Sequence, residues 1–321
     1  MPRIEAATPE MVLEAARRLK AGGTVAIATE TVYGLFCDST NEAALSAVYA
    51  MKGRPASNPL IAHVLDAAMA KRTTFGFDAR AEKLAAKFWP GPLAIVLPRR
   101  PEIAAIGVGG RGTVAVRAPS HPVALAVIAA FGGPLSAPSA NRSGRISPTT
   151  PQHVAEEFKN FDDLLILDGG VCSVGIESTV LDLSRARPIV LRPGVIGEAD
   201  LTPILGTVMM PHLTKQDASP GTMAKHYAPS IRCEVVQPDA LTTRLAKHEG
   251  KAAVLARSDI QIAAPHARIE MPTEPAAYAQ RLYAALREAD ATAATLVLIV
   301  VPPERDGLWV ALHDRIRRAG A

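Results

Sequence analysis

The sequence predicts an α/β protein in two parts: a twisted mixed-sheet domain, then a small open α/β domain. Three observations carry this. Up to about residue 210 the chain has many short apolar runs and few long helical patterns, which suits a mixed sheet better than a simple alternating one. After about residue 230, strand-length and helix-length runs alternate regularly. Between them lies a polar stretch marked by Ser219-Pro220-Gly221 and Ala228-Pro229, which reads as a linker. The chain has 321 residues, enough for roughly two domains. The expected boundaries are 1–210, a linker at 211–230, and 231–321.

Composition narrows the functional classes. Hydrophobic residues make up 48% and charged residues 21%, as in ordinary globular proteins. Aromatics are only 4%, so the core must be built from Ala, Val, Leu and Ile. A formal net charge of +4 favours anionic ligands without by itself marking a nucleic-acid surface. Cys37, Cys172 and Cys233 have no metal-ligand or redox spacing, which fits a reduced cytoplasm. The stretch beginning Met1-Pro2-Arg3-Ile4-Glu5 has no apolar signal core, and no apolar run is long enough for a bilayer. A cytoplasmic protein with no membrane partner is therefore expected.

Taken in order, Thr8-Pro9-Glu10 caps and starts a helix to about Lys20, and Gly22-Gly23 ends it. Thr24 to Ala28 is a short buried strand that opens into Thr29-Glu30-Thr31-Val32-Tyr33-Gly34-Leu35. Polar groups crowding at a strand end are the usual ligand crevice of open α/β sheets. Asn41 caps a helix to about Met51. Helices follow near Asp66–Arg72 and Asp78–Phe88, the second stopped by Trp89-Pro90-Gly91-Pro92. Leu93–Leu97 and Thr113–Arg117 read as strands. Between them, Gly107-Val108-Gly109-Gly110-Arg111-Gly112 matches the dinucleotide fingerprint in letters only. It opens a strand, not a helix, so it is read as a glycine loop. No Walker phosphate loop is present in the sequence. His121-Pro122 begins a helix to Phe131, and a loop rich in hydroxyls, Pro134 to Thr149, follows. Leu164–Leu167, Val180–Leu183 and Ile189–Arg192 are strands. Beyond the linker come strand Cys233–Val236, helix Asp239–His248, strand Ala252–Leu255, helix Pro275–Ala289, strand Leu296–Val301 and helix Leu308–Arg318. Arg315, Arg317 and Arg318 are expected to complement that last helix's C-terminus.

The chemistry concentrates in Lys52-Gly53-Arg54-Pro55-Ala56-Ser57-Asn58-Pro59-Leu60. Arg54 and Asn58 each precede a proline and are pushed toward extended geometry, while Gly53 allows a sharp bend. Two fixed cations two residues apart then feed the buried strand Leu60–Val64. Such a loop suits a polyphosphate, because Arg offers a planar fork and Lys a compact charge. Elsewhere in the first domain strand ends again place cations beside hydroxyls: Thr31, Arg117, Ser139 with Asn141, Ser147, Ser178 and Arg192. If these converge, they hold a multiply charged anion beside a small polar molecule. Phosphoryl-type transfer needs that positioning and charge stabilisation more than covalent help.

These segments, with Pro90–Leu97 and Ser219–Pro229, resemble the threonylcarbamoyl-AMP synthases, the YrdC-like family, in its two-domain form with a Rossmann-like C-terminal domain. Eight blocks occur in the family's order, and its Lys-x-Arg and Ser-x-Asn signatures stand as Lys52, Arg54, Ser139 and Asn141. The resemblance implies a nucleotidyltransferase that makes L-threonylcarbamoyl-adenylate and pyrophosphate from L-threonine, bicarbonate or CO₂, and ATP with Mg²⁺. Its product would pass to tRNA threonylcarbamoyl-transfer proteins, for modification beside the anticodon; a weak tRNA contact fits that setting. By the same resemblance, Thr31, His63, Arg117, Ala137 and Ser178 would bind L-threonine. Arg54, Asn58, Thr113, Ser139, Asn141, Ser147, Arg192 and Tyr227 would bind ATP. Lys52 and Arg54 would be catalytic, with Lys52 along the phosphates, and no protein side chain is assigned to the metal. Tyr227 in its Pro/Gly-bounded linker would serve as a lid.

Glu30 and Glu177 are open to two readings, acid/base groups or groups that orient neighbouring donors, and Tyr33 is open to a core role. A binding module for tRNA or double-stranded RNA is the alternative function. The low aromatic content and the absence of Lys/Arg runs interleaved with aromatics speak against it. A carbamoyl-transfer domain like that of hydrogenase-maturation proteins is a third reading. Those proteins carry zinc-finger and acylphosphatase-like segments that this sequence does not contain.

Overall fold

The computed structural model describes residues 1–210 and 226–321. Residues 1–210 form strands β1 (Arg3–Ala6), β2 (Val25–Ile27), β3 (Gly34–Asp38), β4 (Ile61–His63), β5 (Leu93–Pro98), β6 (Thr113–Arg117), β7 (Leu135–Ala137), β8 (Leu165–Asp168), β9 (Thr179–Asp182) and β10 (Ile189–Arg192). The helices among them are α1 (Pro9–Lys20), α2 (Glu42–Lys52), α3 (Ala67–Thr73), α4 (Ala79–Phe88), α5 (Pro122–Phe131), α6 (Pro151–Glu157) and α7 (Glu198–Leu205). The sheet order is β1-β8-β2-β3-β7-β4-β6-β5-β9-β10. Pairing is mixed: β4 with β6 and β5 with β9 are parallel, while β4 with β7 and β5 with β6 are antiparallel.

Local chemistry sets the element ends. Thr8 Oγ1 accepts from the Met11 amide at 3.3 Å, with Pro9 at the first helical position. Asn41 Oδ1 accepts from the Ala44 amide at 3.1 Å, and Gly53 closes α2 in the left-handed conformation at φ 61°. That turn swings the Lys52–Leu60 loop back toward β4.

Alternation along the strands divides the core. Val25, Ile27, Phe36, Ala62, Val64 and Val116 pack on one face under α1, α3 and α5. Ala26, Leu35, Cys37 and Ile166 pack on the other face under α2 and α6. On that second face, Ile61, Ala94, Val96, Ala115 and Val180 form a small patch built from strand residues. Ile61 of this patch reaches the floor of a cleft.

The second part is a parallel sheet of β11 (Cys233–Val236), β12 (Ala252–Ala256), β13 (Ala267–Glu270) and β14 (Leu296–Val300), ordered β11-β14-β12-β13. Helices α8 (Leu241–Ala246), α9 (Pro275–Asp290) and α10 (Leu308–Ala319) flank it. Ala253, Leu255, Val297 and Ile299 face α9 and α10, and Val254 and Leu298 face the opposite side. The α9/α10 core also takes in Val32, Ile146 and Ile176 of the first domain. The two domains therefore share buried apolar surface.

Several elements are absent from the sequence expectation. β1 and β13 are edge strands with mostly exposed side chains, so no apolar run announces them. β3 follows a polar strand end, and the sequence marks its start only as a crevice. α6 and α7 are short, with few buried residues. The helix expected over Asp239–His248 is shorter, with a 3-10 turn at Pro238–Ala240 leading into α8.

Candidate active site

A cleft lies between the sheet face and the segment beginning at His226. At one end β4 and β6 run parallel with His63 opposite Arg117. Arg117 is buried, and its Nη2 pairs with Glu30 Oε1 at 2.7 Å. Its Nη1 donates to Thr31 Oγ1 at 3.0 Å and its Nε to the Gly91 carbonyl at 3.2 Å. Glu30 Oε2 accepts from the Ser120 amide at 3.1 Å. The guanidinium is thus fixed before any ligand arrives.

His63 is buried with Nδ1 unpartnered, beside the Phe36 ring at 4.9 Å. Burial, reinforced by the Arg117 charge, lowers its pKa to about 3, so the ring is neutral at ordinary pH. Thr31, Ala137 and Ser139 line the same space. Gly34 lets that wall close up, since a Cβ there would lie 2.8 Å from the Phe36 ring and 3.2 Å from Ala137 Cβ.

At the other end stand Arg54 and Arg192. Arg54 donates from Nε to the Asn58 carbonyl at 3.1 Å and from Nη2 to the Pro59 carbonyl at 3.1 Å. Burial lowers its pKa to about 10, which still leaves it charged at neutral pH. Arg192 donates from Nε to the Ser178 carbonyl at 3.0 Å and from Nη2 to Ser178 Oγ at 3.1 Å. Two buried guanidiniums facing one cleft raise its affinity for anions. Tyr227 and His226 close this side. The Tyr227 backbone is left-handed at φ 63°, and its ring stacks on Tyr283 at 5.3 Å. The segment is tied to both domains: the His226 amide donates to the Arg318 carbonyl and the Ala228 amide to the Gly144 carbonyl.

The sequence-derived residues therefore fall into groups. Thr31, Arg54, His63, Arg117, Ala137, Ser139, Arg192 and Tyr227 line the cleft. Ser178 stands one step back, on Arg192. Ser147 Oγ donates to Glu177 Oε1 at 2.6 Å and so reaches the cleft through a carboxylate. Lys52 is not among the residues lining the cleft. Its side chain is buried, and its ammonium bonds the Ser139 and Asn141 carbonyls behind the cleft wall. Burial, with Arg54 second, pushes its pKa well down. Asn141 spends its Nδ2 on the Arg142 and Arg145 carbonyls at 2.8 Å each, shaping the same loop. The Asn58 carbonyl, not its side chain, serves Arg54. Thr113 shares a sheet face with Arg117 but lies four residues, roughly 13 Å, along the strand and outside the cleft lining.

The expectation for the last helix fails at Arg315. It is buried and reaches across to Glu177 Oε2 at 3.2 Å and to the Pro193 carbonyl at 2.7 Å. Arg317 and Arg318 pair with Asp314, each at 2.9 Å. Helical period alone cannot show that one arginine of three points into a neighbouring domain. Glu177 and His226 both line the cleft, and neither is among the residues that the sequence assigns to it. Their signal was position: one precedes Ser178, and the other precedes Tyr227. Ser219–Lys225, part of the expected linker and lid, lies outside the described residues.

A family model described as "Telomere recombination" matches residues 17–194, and one described as "Threonylcarbamoyl-AMP synthase, C-terminal domain" matches residues 196–321. The threonylcarbamoyl-AMP synthase of Pyrococcus abyssi is 36% identical over 318 residues, covering 95% of this chain and 92% of that protein. The Bacillus subtilis protein of the same name is 33% identical, with 96% and 92% covered. The crystal structure of P. abyssi Sua5 complexed with L-threonine superimposes with a TM-score of 0.89 at 32% identity, covering 100% of this chain and 97% of that one. With both family models in register across the two domains, the chain belongs to the threonylcarbamoyl-AMP synthase family.

Proposed function

We infer that the cleft joins L-threonine, bicarbonate or CO₂, and ATP into L-threonylcarbamoyl-adenylate with release of pyrophosphate. The observation that carries this is the pairing of two ends in one cleft: Arg117 with neutral His63 at one, Arg54 with Arg192 at the other. The first end suits a small amino acid. Arg117 offers a fork for its carboxylate, with Glu30 holding that fork in place. His63 keeps an unpartnered nitrogen that can accept from the substrate's amine or hydroxyl. With a pKa near 3 it orients rather than removes a proton at neutral pH.

In the reaction the free amine nitrogen of threonine bonds the carbon of CO₂, one C=O electron pair moves onto oxygen and the nitrogen gives up a proton to solvent, giving a carbamate. From bicarbonate the same bond formation also breaks a C–O bond and releases water. A carbamate oxygen then bonds the α-phosphorus, and the bond from that phosphorus to the β-phosphate bridging oxygen breaks. Pyrophosphate leaves with the electron pair. Both partners are anions, so Arg54 and Arg192 offset their repulsion and the charge that gathers on the leaving group. Lys52 serves by holding the Ser139–Asn141 main chain in the wall. The segment at Tyr227, bonded to both domains, acts as a lid and keeps water from the labile carbamate.

Mg²⁺ enters this reading as the nucleotide's counter-ion. Among the described residues no group of three or more His, Cys, Asp or Glu side chains could hold a metal. Glu177 and Glu30 are each already engaged by cations and donors. The product would go to proteins that transfer the threonylcarbamoyl group to tRNA. No described helix is long and apolar enough to cross a membrane.

The test is direct. Purified protein given ATP, Mg²⁺, L-threonine and bicarbonate should release pyrophosphate, and omitting threonine should abolish the release. Release that is indifferent to threonine would refute the assignment.

A further inference from the structure

We propose that the C-terminal domain holds a second binding site, at the carboxyl ends of its four strands, for a small uncharged carboxamide. The site does not depend on the reaction proposed above.

A crevice opens at the end of the parallel sheet where all four strands finish. Pro238 follows β11, Arg257 follows β12, Met271 follows β13 and Val301 follows β14. In open parallel sheets ligands gather outside the strand carboxyl ends, where neighbouring connections leave in opposite directions. That divergence falls here between the neighbours β14 and β12. The chain leaving β12 continues to β13 on one side, and the chain leaving β14 enters α10, which packs on β11 on the other. Among the described residues, none that lines this crevice also lines the cleft.

Two of the lining residues carry buried donors with no partner in the protein, Tyr278 Oη and Arg257 Nε. Tyr278 is only 1% exposed. A buried donor left unpaired is costly, and its persistence calls for an acceptor. Both groups are held in place. The Trp309 ring meets Tyr278 edge-on at 5.2 Å and lies 5.1 Å from the Arg257 guanidinium. Arg257 Nη1 and Nη2 donate to the two Glu304 carboxylate oxygens at 2.9 and 2.8 Å, which leaves Nε. Burial raises the Tyr278 pKa above the ordinary phenol range, so its hydroxyl keeps its proton.

The surroundings select the ligand. Two donors at one crevice match an acceptor oxygen such as a carbonyl. Glu304 already offsets the Arg257 charge, and Asp259, exposed at the rim, adds a negative one, so an anion gains no net cation here. No glycine-rich turn follows any of the four strands, and Pro302 and Pro303 offer no N–H, so a phosphate lacks a main-chain cradle. Ile260, Met271, Val300 and Val301 supply apolar wall for a short hydrocarbon body. Asp259 can accept from an amide N–H. A carboxamide on a small apolar body answers all three demands.

Saturation-transfer NMR on the full chain, with isobutyramide, isobutyrate and isobutylamine as probes, separates the head groups on closely similar apolar bodies. Isobutyramide should bind, isobutyrate should bind more weakly, and isobutylamine should give no transfer. L-threonine should not displace isobutyramide. Tyr278→Phe should raise the isobutyramide Kd about ten-fold. Without the probe, the same variant should unfold at or above the wild-type denaturant midpoint, because the hydroxyl it removes bonds nothing in the protein. Ile260→Trp adds bulk at a half-buried wall position and should abolish transfer while circular dichroism shows the fold intact. The proposal is overturned if isobutyramide gives no transfer to the wild type, or if isobutyrate or isobutylamine binds as tightly. Displacement by threonine would move the probe to the cleft and overturn it too. So would an unchanged Kd or a lowered midpoint in Tyr278→Phe, or transfer that survives in folded Ile260→Trp.

Discussion

Replacing Glu30 by Gln should leave the Arg117 guanidinium as an uncompensated buried charge. The pair is 2.7 Å apart, with side chains only 3% and 6% exposed, so solvent cannot take the carboxylate's place. Breaking one partner of such a pair costs about 3–5 kcal/mol. In a domain the size of residues 1–210 about 1 kcal/mol moves the melting temperature by roughly 2–4 °C, giving a fall of roughly 6–20 °C. Arg117→Gln should cost a similar amount by orphaning Glu30. The double variant should recover part of the loss, because neither charge is then left alone. The singles differ in their response to ligand. Threonine at a hundred times its Kd should stabilise the wild type by about 2.7 kcal/mol. It should still stabilise Glu30→Gln but not Arg117→Gln. Denaturant and thermal unfolding with and without threonine supply all four corners of the cycle. A coupling below about 1 kcal/mol, or an equal threonine response in both single variants, would refute the reasoning.

Stability should fall in acid. His63 and His226 have pKa values lowered from 6.5 to about 3, chiefly by burial, so the unfolded chain binds more protons than the folded one between those values. Their neutral-state stability is present above pH 6.5 and is lost as pH falls toward 3. Glu177, lowered from 4.5 to about 2, adds a loss of the same sign below pH 4.5. A denaturant midpoint that does not move between pH 7 and pH 5 would contradict this. Gly175→Ala should disturb domain docking, since Gly175 sits at φ 81° and a Cβ there would lie 2.4 Å from the Gln280 Cα. A cost of about 1–3 kcal/mol and easier proteolysis near the interface are expected; wild-type resistance would count against it. Arg54→Gln should raise KM for ATP about ten-fold while leaving threonine's thermal shift intact, and an unchanged KM would remove Arg54 from the nucleotide end.

Much of the fold was legible because its core strands are apolar runs bounded by proline, glycine and capping residues. The Asn41 cap and the Gly53 stop stand where the residue types place them. Edge strands such as β1 and β13 were not legible, because half-solvated residues carry no burial signal. In the site, Arg54, His63, Arg117 and Arg192 could be named as cleft candidates, but what each one bonds could not. Lys52 shows the limit most clearly. Its charge suggests phosphate, and residue type alone cannot show that its ammonium bonds the Ser139 and Asn141 carbonyls. Arg315 shows the converse. An arginine in a helix's last turns ordinarily faces solvent, and only the docking of one domain on the other makes it a partner of Glu177.

The central claim is that one cleft couples threonine, inorganic carbon and the α-phosphate of ATP. Incubation with ¹³C-bicarbonate, L-threonine and ATP, followed by mass spectrometry of the nucleotide fraction, tests it most directly. The account predicts an adenylate that contains threonine and one ¹³C, formed in step with pyrophosphate. A labelled adenylate lacking threonine, or threonyl-adenylate lacking the label, would contradict it.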